Sequence, residues 1–119
     1  MALGKEQDFS MHSGDDRVLE ITIRENDHGT LDITGAAITW ALSRIVTDKV
    51  EPKGAAIVTK TVGSGITITN AHNGHVEVAI TETDTDDLAG TYYHEMQLVL
   101  SGDTSTVMYG TVTIKKDLI

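Results

Sequence analysis

The sequence predicts an all-β fold, an antiparallel β-sandwich of two sheets, and three observations predict it. Apolar residues recur with period two along most of the chain, the signature of half-buried strands. Glycine- and Asn/Asp-rich turn signals separate these runs at near-regular spacing. No stretch sustains the 3.6-residue period of an amphipathic helix. About eight short strands with such spacing suit a sandwich with Greek-key connections, with a small barrel as the competing architecture.

The runs follow in order. Leu19, Ile21 and Ile23 alternate with Glu20, Thr22 and Arg24, after a Gly14-Asp15-Asp16 turn. Asn26-Asp27-His28-Gly29 closes that strand. Ile38, Trp40 and Leu42 alternate with Thr39, Ala41 and Ser43. Trp40 is the only tryptophan and sits in mid-strand on the apolar face, which predicts the centre of the core. The segment 48–54, with the only proline at Pro52, reads as an exposed loop or sheet-edge crossover. Gly63-Ser64-Gly65 divides two short strands, the second carrying Ile66 and Ile68. Asn73-Gly74 is a tight-hairpin signal leading to Val76, Val78 and Ile80. Tyr92, His94, Met96, Leu98 and Leu100 share one face of a long strand. Ser101-Gly102-Asp103 then turns the chain into a last strand facing inward with Met108, Gly110, Val112 and Ile114. Thr81 to Ala89 departs from the alternation. Thr83 with Asp86 has helix N-cap spacing, Leu88 can point inward and Gly90 ends the segment, so one short helical turn is expected near residues 83–88.

Composition bounds the rest. A chain of 119 residues fits one domain, here 1–119 with an N-terminal arm over 1–8. With no cysteine, disulfides and thiolate-ligated zinc are excluded. The formal net charge is −9, and Lys115-Lys116 is the only adjacent basic pair. Nucleic acid and anionic membranes are disfavoured as partners, because both are bound through basic stripes. The first eight residues lack the apolar run of a signal peptide, and no apolar stretch approaches the ~20 residues of a membrane helix.

Candidate chemistry is sparse. Glu82, Asp84, Asp86 and Asp87 form the densest carboxylate cluster, but they lack EF-hand spacing, and acids capping a turn explain them as well as calcium does. His72 and His75 flank the Asn73-Gly74 turn; zinc there would need further ligands from His12, His28 or His94. His94 falls on a core-facing position, where burial lowers an imidazole pKa and makes a fold acid-sensitive. No serine lies in a G-x-S-x-G elbow, and no phosphate-binding glycine loop opens a helix. The reading is therefore not an enzyme, with no catalytic, metal or cofactor residues. Tyr92 follows the Gly90 turn by two residues, where a tyrosine hydroxyl can bond back to the corner backbone. Tyr93 and Tyr109 fall on the opposite faces of their strands and would meet if those strands pair; they are the candidate partner contact.

Phe9, Gly14-Asp15, Leu31-Asp32-Ile33-Thr34-Gly35-Ala36 and the Trp40 strand come in a distinctive order. Gly74, Val76-Glu77-Val78, Asp84-Thr85, Leu88 and Gly90-Thr91-Tyr92 follow, and Gly110-Thr111-Val112-Thr113-Ile114 closes the set. From Phe9 to Ile114 this resembles the immunoglobulin-like β-sandwich domains of bacteriophage tail and baseplate proteins, such as the N-terminal domain of baseplate upper proteins. His94 departs from that pattern, standing where the family has a second aromatic. The resemblance implies a virion structural protein of tail or baseplate, a homo-oligomer in contact with copies of itself and other virion proteins. The alternatives are a capsid decoration or head–tail connector protein, and a stand-alone carbohydrate- or calcium-binding module.

Overall fold

Ten strands make up most of the chain in the computed structural model, which describes residues 5–25, 29–46, 49–50 and 56–116. They are β1 (Lys5–Glu6), β2 (Phe9–His12), β3 (Arg17–Thr22), β4 (Ala37–Val46), β5 (Lys49–Val50), β6 (Val58–Val62), β7 (Gly65–Asn70), β8 (His75–Ile80), β9 (Gly90–Leu100) and β10 (Asp103–Lys115). Neighbours run in the order β1-β10-β9-β4-β6-β7-β8-β3, with β2 beside β10 and β5 beside β4. The sheet is mixed and curls into a nearly closed barrel-like form.

The expected alternation is realised. Ile21, Ile23, Ile38, Trp40, Leu42, Ile66, Val76, Val78, Ile80, Tyr92, Met96, Leu98, Met108, Val112 and Ile114 are all buried in one core. Trp40 is fully buried, as its mid-strand position predicts. The β9–β10 hairpin turns through Ser101 and Gly102, both at positive φ, with Leu100 opposite Asp103. Two consecutive positive-φ residues give the turn a twist that matches its strands.

Three expectations need correction. First, the pairing is not purely antiparallel. β1 and β2 run parallel to β10, and β6 runs parallel to β7 over Thr61↔Gly65 and Val62↔Ile66. The Gly63-Ser64 turn doubles back so tightly that Thr61 and Ser64 exchange backbone hydrogen bonds of 3.2 and 2.8 Å. Second, residues 83–88 form no helical turn. Two separate i→i+3 bonds, Asp84 N–H to Thr81 O and Leu88 N–H to Thr85 O, are not joined into a helix, and Asp87 at φ 66° breaks any continuation. Asp84 closes the turn instead, its carboxylate accepting from Thr81 N–H at 2.7 Å. Third, the Asn73-Gly74 hairpin forms, joining antiparallel β7 and β8, but only Gly74 of the pair takes positive φ. A 3-10 turn over Ala71–Asn73 precedes Gly74, which sits at φ 70°. Gly74 is buried, and a β-carbon there would strike the carbonyls of Ile23 and Leu31. Its own carbonyl accepts from Ile23 N–H at 2.8 Å, which ties the hairpin end to the chain beyond β3.

Of the segment 48–54, only Lys49 and Val50 are described; they pair with Val46 and Ile45 as a short antiparallel β5. The rest of that loop, with Pro52, lies outside the described residues, as do Asn26 to His28 and the first four residues of the arm.

Candidate interaction surface

Alternation along β4, β9 and β10 leaves one outer face, and β6 extends it. Its strands are in register: Thr39 lies between Thr61 and Gln97, Ala41 between Thr59 and Glu95, and Ser43 beside Tyr93. Tyr93 in turn faces Thr111, and Tyr109 faces Glu95. Tyr93 and Tyr109 therefore meet as diagonal cross-strand neighbours on this face, as the sequence reading expects. Tyr109 is 39% exposed and Tyr93 half-buried. The Tyr93 hydroxyl donates to Glu95 Oε2 at 3.0 Å. Partial burial pushes the Tyr93 phenol up to about 12, helped by the Glu95 hydrogen bond and by the charges of Glu95 and Tyr109.

The face is notable for what it carries. Between Thr59 on β6 and Thr113 on β10, the outward residues of these four strands are threonine, alanine, serine, tyrosine, Ile45, Gln97, Val99 and one charged group, Glu95, while exposed Glu6 of β1 stands directly beside Tyr109. Glu95 is engaged by Tyr93. On a chain of net charge −9, this is a surface with few charges for two acidic copies to juxtapose.

The other candidates do not assemble. Asp84 forms a 2.7 Å ion pair with Lys60 Nζ, an inward-pointing lysine on β6 opposite Trp40. Burial works to raise the Asp84 pKa, but the hydrogen bonds from Lys60 and Thr81 outweigh it and hold the carboxyl below its usual value. Asp84 is thus withdrawn from the Glu82, Asp86, Asp87 group, while Thr85 is buried and accepts from Gly14 N–H at 3.0 Å. His72 and His75 part company: His72 Nδ1 lies 3.2 Å from Asp32 Oδ2, and His75 heads β8. The Asp32 carboxyl is lowered to about 2, chiefly by the side-chain and backbone hydrogen bonds of Thr34 and then by His72. Among the described residues, no three His, Asp or Glu side chains converge as a metal-holding group.

Tyr92 behaves as expected. It is buried, and its hydroxyl both donates to Ala89 O and accepts from Ala89 N–H, each at 3.1 Å. His94 is buried as well, and its bonds exceed what the sequence signals. Nδ1 receives Trp40 Nε1–H at 3.1 Å, and Nε2 lies 2.6 Å from the Gln7 carbonyl. Sequence reasoning missed Lys60 as an inward residue, although it shares the phase of Val58 and Val62 in β6, and Thr85 as a buried one, which lies outside any alternation.

No protein-family model matches the chain, and no curated protein aligns with it.

Proposed function

We propose that this chain is a non-catalytic structural subunit of a tailed-bacteriophage particle, of tail or baseplate, acting through contacts between copies of itself and with other virion proteins. The observation that carries the reading is the nearly uncharged outer face with Tyr93 and Tyr109 on a molecule of net charge −9. Aromatic side chains on a face depleted of charge are the composition of a contact surface. Three strands of ten or more residues and the five-residue β6, at about 4.8 Å spacing, give roughly 550 Å² of face, toward the lower end of what a specific interface takes from each partner.

The same proposal takes the fold to be an immunoglobulin-like two-sheet sandwich. Two features support it. The β6–β7 pairing spans only Thr61↔Gly65 and Val62↔Ile66, so it works as a narrow hinge between β1/β2-β10-β9-β4-β6 and β7-β8-β3. The Tyr92 hydroxyl closing on Ala89 is a tyrosine corner, a hallmark of such sandwiches. The resemblance of the order of turn and core residues to that of phage tail domains points the same way.

The test is the solution mass across concentration by light scattering, with and without calcium. A stable, calcium-indifferent oligomer is expected. A strict monomer at every concentration sinks the self-contact reading and leaves the stand-alone module. Calcium-dependent assembly brings back the Glu82 to Asp87 carboxylates as a site.

A further inference from the structure

We propose that His94 is a proton-operated latch: it holds the start of the N-terminal arm, Lys5 to Asp8, on the edge of β10 and releases it on acidification. The inference stands apart from the interface reading above.

The hydrogen bonds fix the protonation state of the ring. A carbonyl only accepts, so Nε2 must carry the proton it gives to Gln7 O. An indole N–H only donates, so Nδ1 must be bare to receive Trp40. His94 is therefore neutral, with both nitrogens engaged. A second proton on Nδ1 would set N–H against N–H across 3.1 Å and place a cation at a site 1% exposed.

The start of the arm is the element able to give way, since farther along it Met11 is buried in the core and β2 pairs with Val112–Lys115. His94 itself is locked in β9, between Leu42 on β4 and Gly110 on β10. Gln7 and Asp8 join β1 to β2 by a kink that lies directly on Gly110. Besides Gln7 O, the kink is held by Gln7 N–H to Tyr109 O at 2.7 Å and by Thr111 N–H to Asp8 Oδ1 at 2.8 Å. Phe9 packs edge-on against the imidazole at a centroid distance of 5.1 Å. A cleft of about 200 Å³ runs between the arm and β3 with His94 on its wall, so lifting the arm lets water reach the ring.

The charged groups around the ring are few. Asp8 on the arm favours the imidazolium. From β3, Arg17 stacks over Phe9 at 5.0 Å and opposes it, while Glu20 lines the same cleft. The elements on the other side bring Trp40, Leu42, Met108 and Gly110, none of which titrates. Burial outweighs the Gln7 bond and Asp8, and lowers the His94 pKa from its usual 6.5. The released state, with a solvated ring, binds the proton more readily than the latched one. Release is therefore flat above about pH 6.5 and grows up to tenfold per pH unit below it, until the latched pKa is passed.

The experiment is amide hydrogen exchange by NMR on the full chain between pH 7.5 and 5, corrected for intrinsic rates. Gln7 and Thr111 report the arm, and Leu98 and Val78 report the core. Arm protection should fall about tenfold per unit below pH 6.5 while core protection holds, and the His94 ring nitrogens should show a bare Nδ1 at pH 7.5. His94→Gln, which keeps a donor for Gln7 without titrating, should abolish the pH dependence. Asp8→Asn removes a charge that favours the latched imidazolium, so it should leave the onset near pH 6.5 and carry the fall to lower pH before it levels off. It also answers the question if the first variant fails to fold. Loss of arm and core protection together, an arm indifferent to pH, or a fall whose lower end Asp8→Asn leaves unchanged would each overturn the latch.

Discussion

Gly110 is buried, and its missing side chain is what lets the Gln7-Asp8 kink lie against β10. Alternation along β10 marks the position as inward but offers no reason for a glycine there. The reason comes from a segment about a hundred residues away, which no local pattern reports. Gly110→Ala should push the kink outward, cost about 1–3 kcal/mol in urea unfolding, and expose the amides of Gln7 and Thr111 at neutral pH. An unchanged exchange pattern would mean the arm adapts without leaving. Tyr92 is the opposite case, legible from its place two residues after Gly90. Its hydroxyl satisfies both backbone groups of Ala89. Tyr92→Phe keeps the ring's packing and removes those bonds, so a loss of about 1–2 kcal/mol is expected. A loss below a few tenths of a kcal/mol would show that water replaces the hydroxyl freely.

At the scale of elements, the strands are legible and the connections are not. Strand phase is written every second residue, and Leu98, Val78 and Trp40 are buried as that phase requires. The segment 81–89 reads as a helical turn because Thr83 and Asp86 have cap spacing, yet tertiary bonds claim its backbone instead. Asp16 Oδ1 accepts from Glu82 N–H at 2.8 Å, Thr85 holds Gly14, and Lys60 reaches Asp84. The parallel course of β1 and β2 is likewise absent from any local pattern, since it depends on which edge the arm finds. The Lys60–Asp84 pair is largely shielded, with side-chain exposures of 14% and 17%. Lys60→Met therefore leaves a carboxylate short of its partner and should cost about 1–3 kcal/mol at pH 7. The sign of its pH dependence follows from the lowered Asp84 pKa. The pair's contribution is complete above the unfolded carboxylate value near 3.8 and is lost as the pH falls through the folded one. The wild-type and Lys60→Met stabilities should then converge as the pH falls below the folded carboxylate's lowered value, measured by urea titration at each pH. Curves that stay parallel would assign the loss to the lysine stem packed against Gly65, not to the charge.

At the scale of the whole molecule, charge distribution decides what the protein can meet. The carboxylates of Asp15, Asp16, Glu82, Asp86 and Asp87 gather around the 13–16 turn and the 81–89 segment, while the outer β10-β9-β4-β6 face carries Glu95, with Glu6 beside it on β1. Self-contact through that face brings two molecules of like net charge together, so added salt should strengthen it by screening the long-range repulsion. Contact through the acidic end with a basic partner would weaken under the same change. Thr39→Glu separates the two without disturbing the fold. Its cross-strand neighbours are Thr61 and Gln97, neither of them charged, so the monomer loses little. In a face-to-face pair, though, the added carboxylate is buried without a counter-charge. Association should fall tenfold or more, and Tyr109→Ala, which removes the exposed aromatic, should weaken it through lost contact area alone. Salt should recover part of the Thr39→Glu loss and none of the Tyr109→Ala loss. Light scattering on the three proteins at low and high salt checks this. Equal masses throughout would move the contact surface off this face.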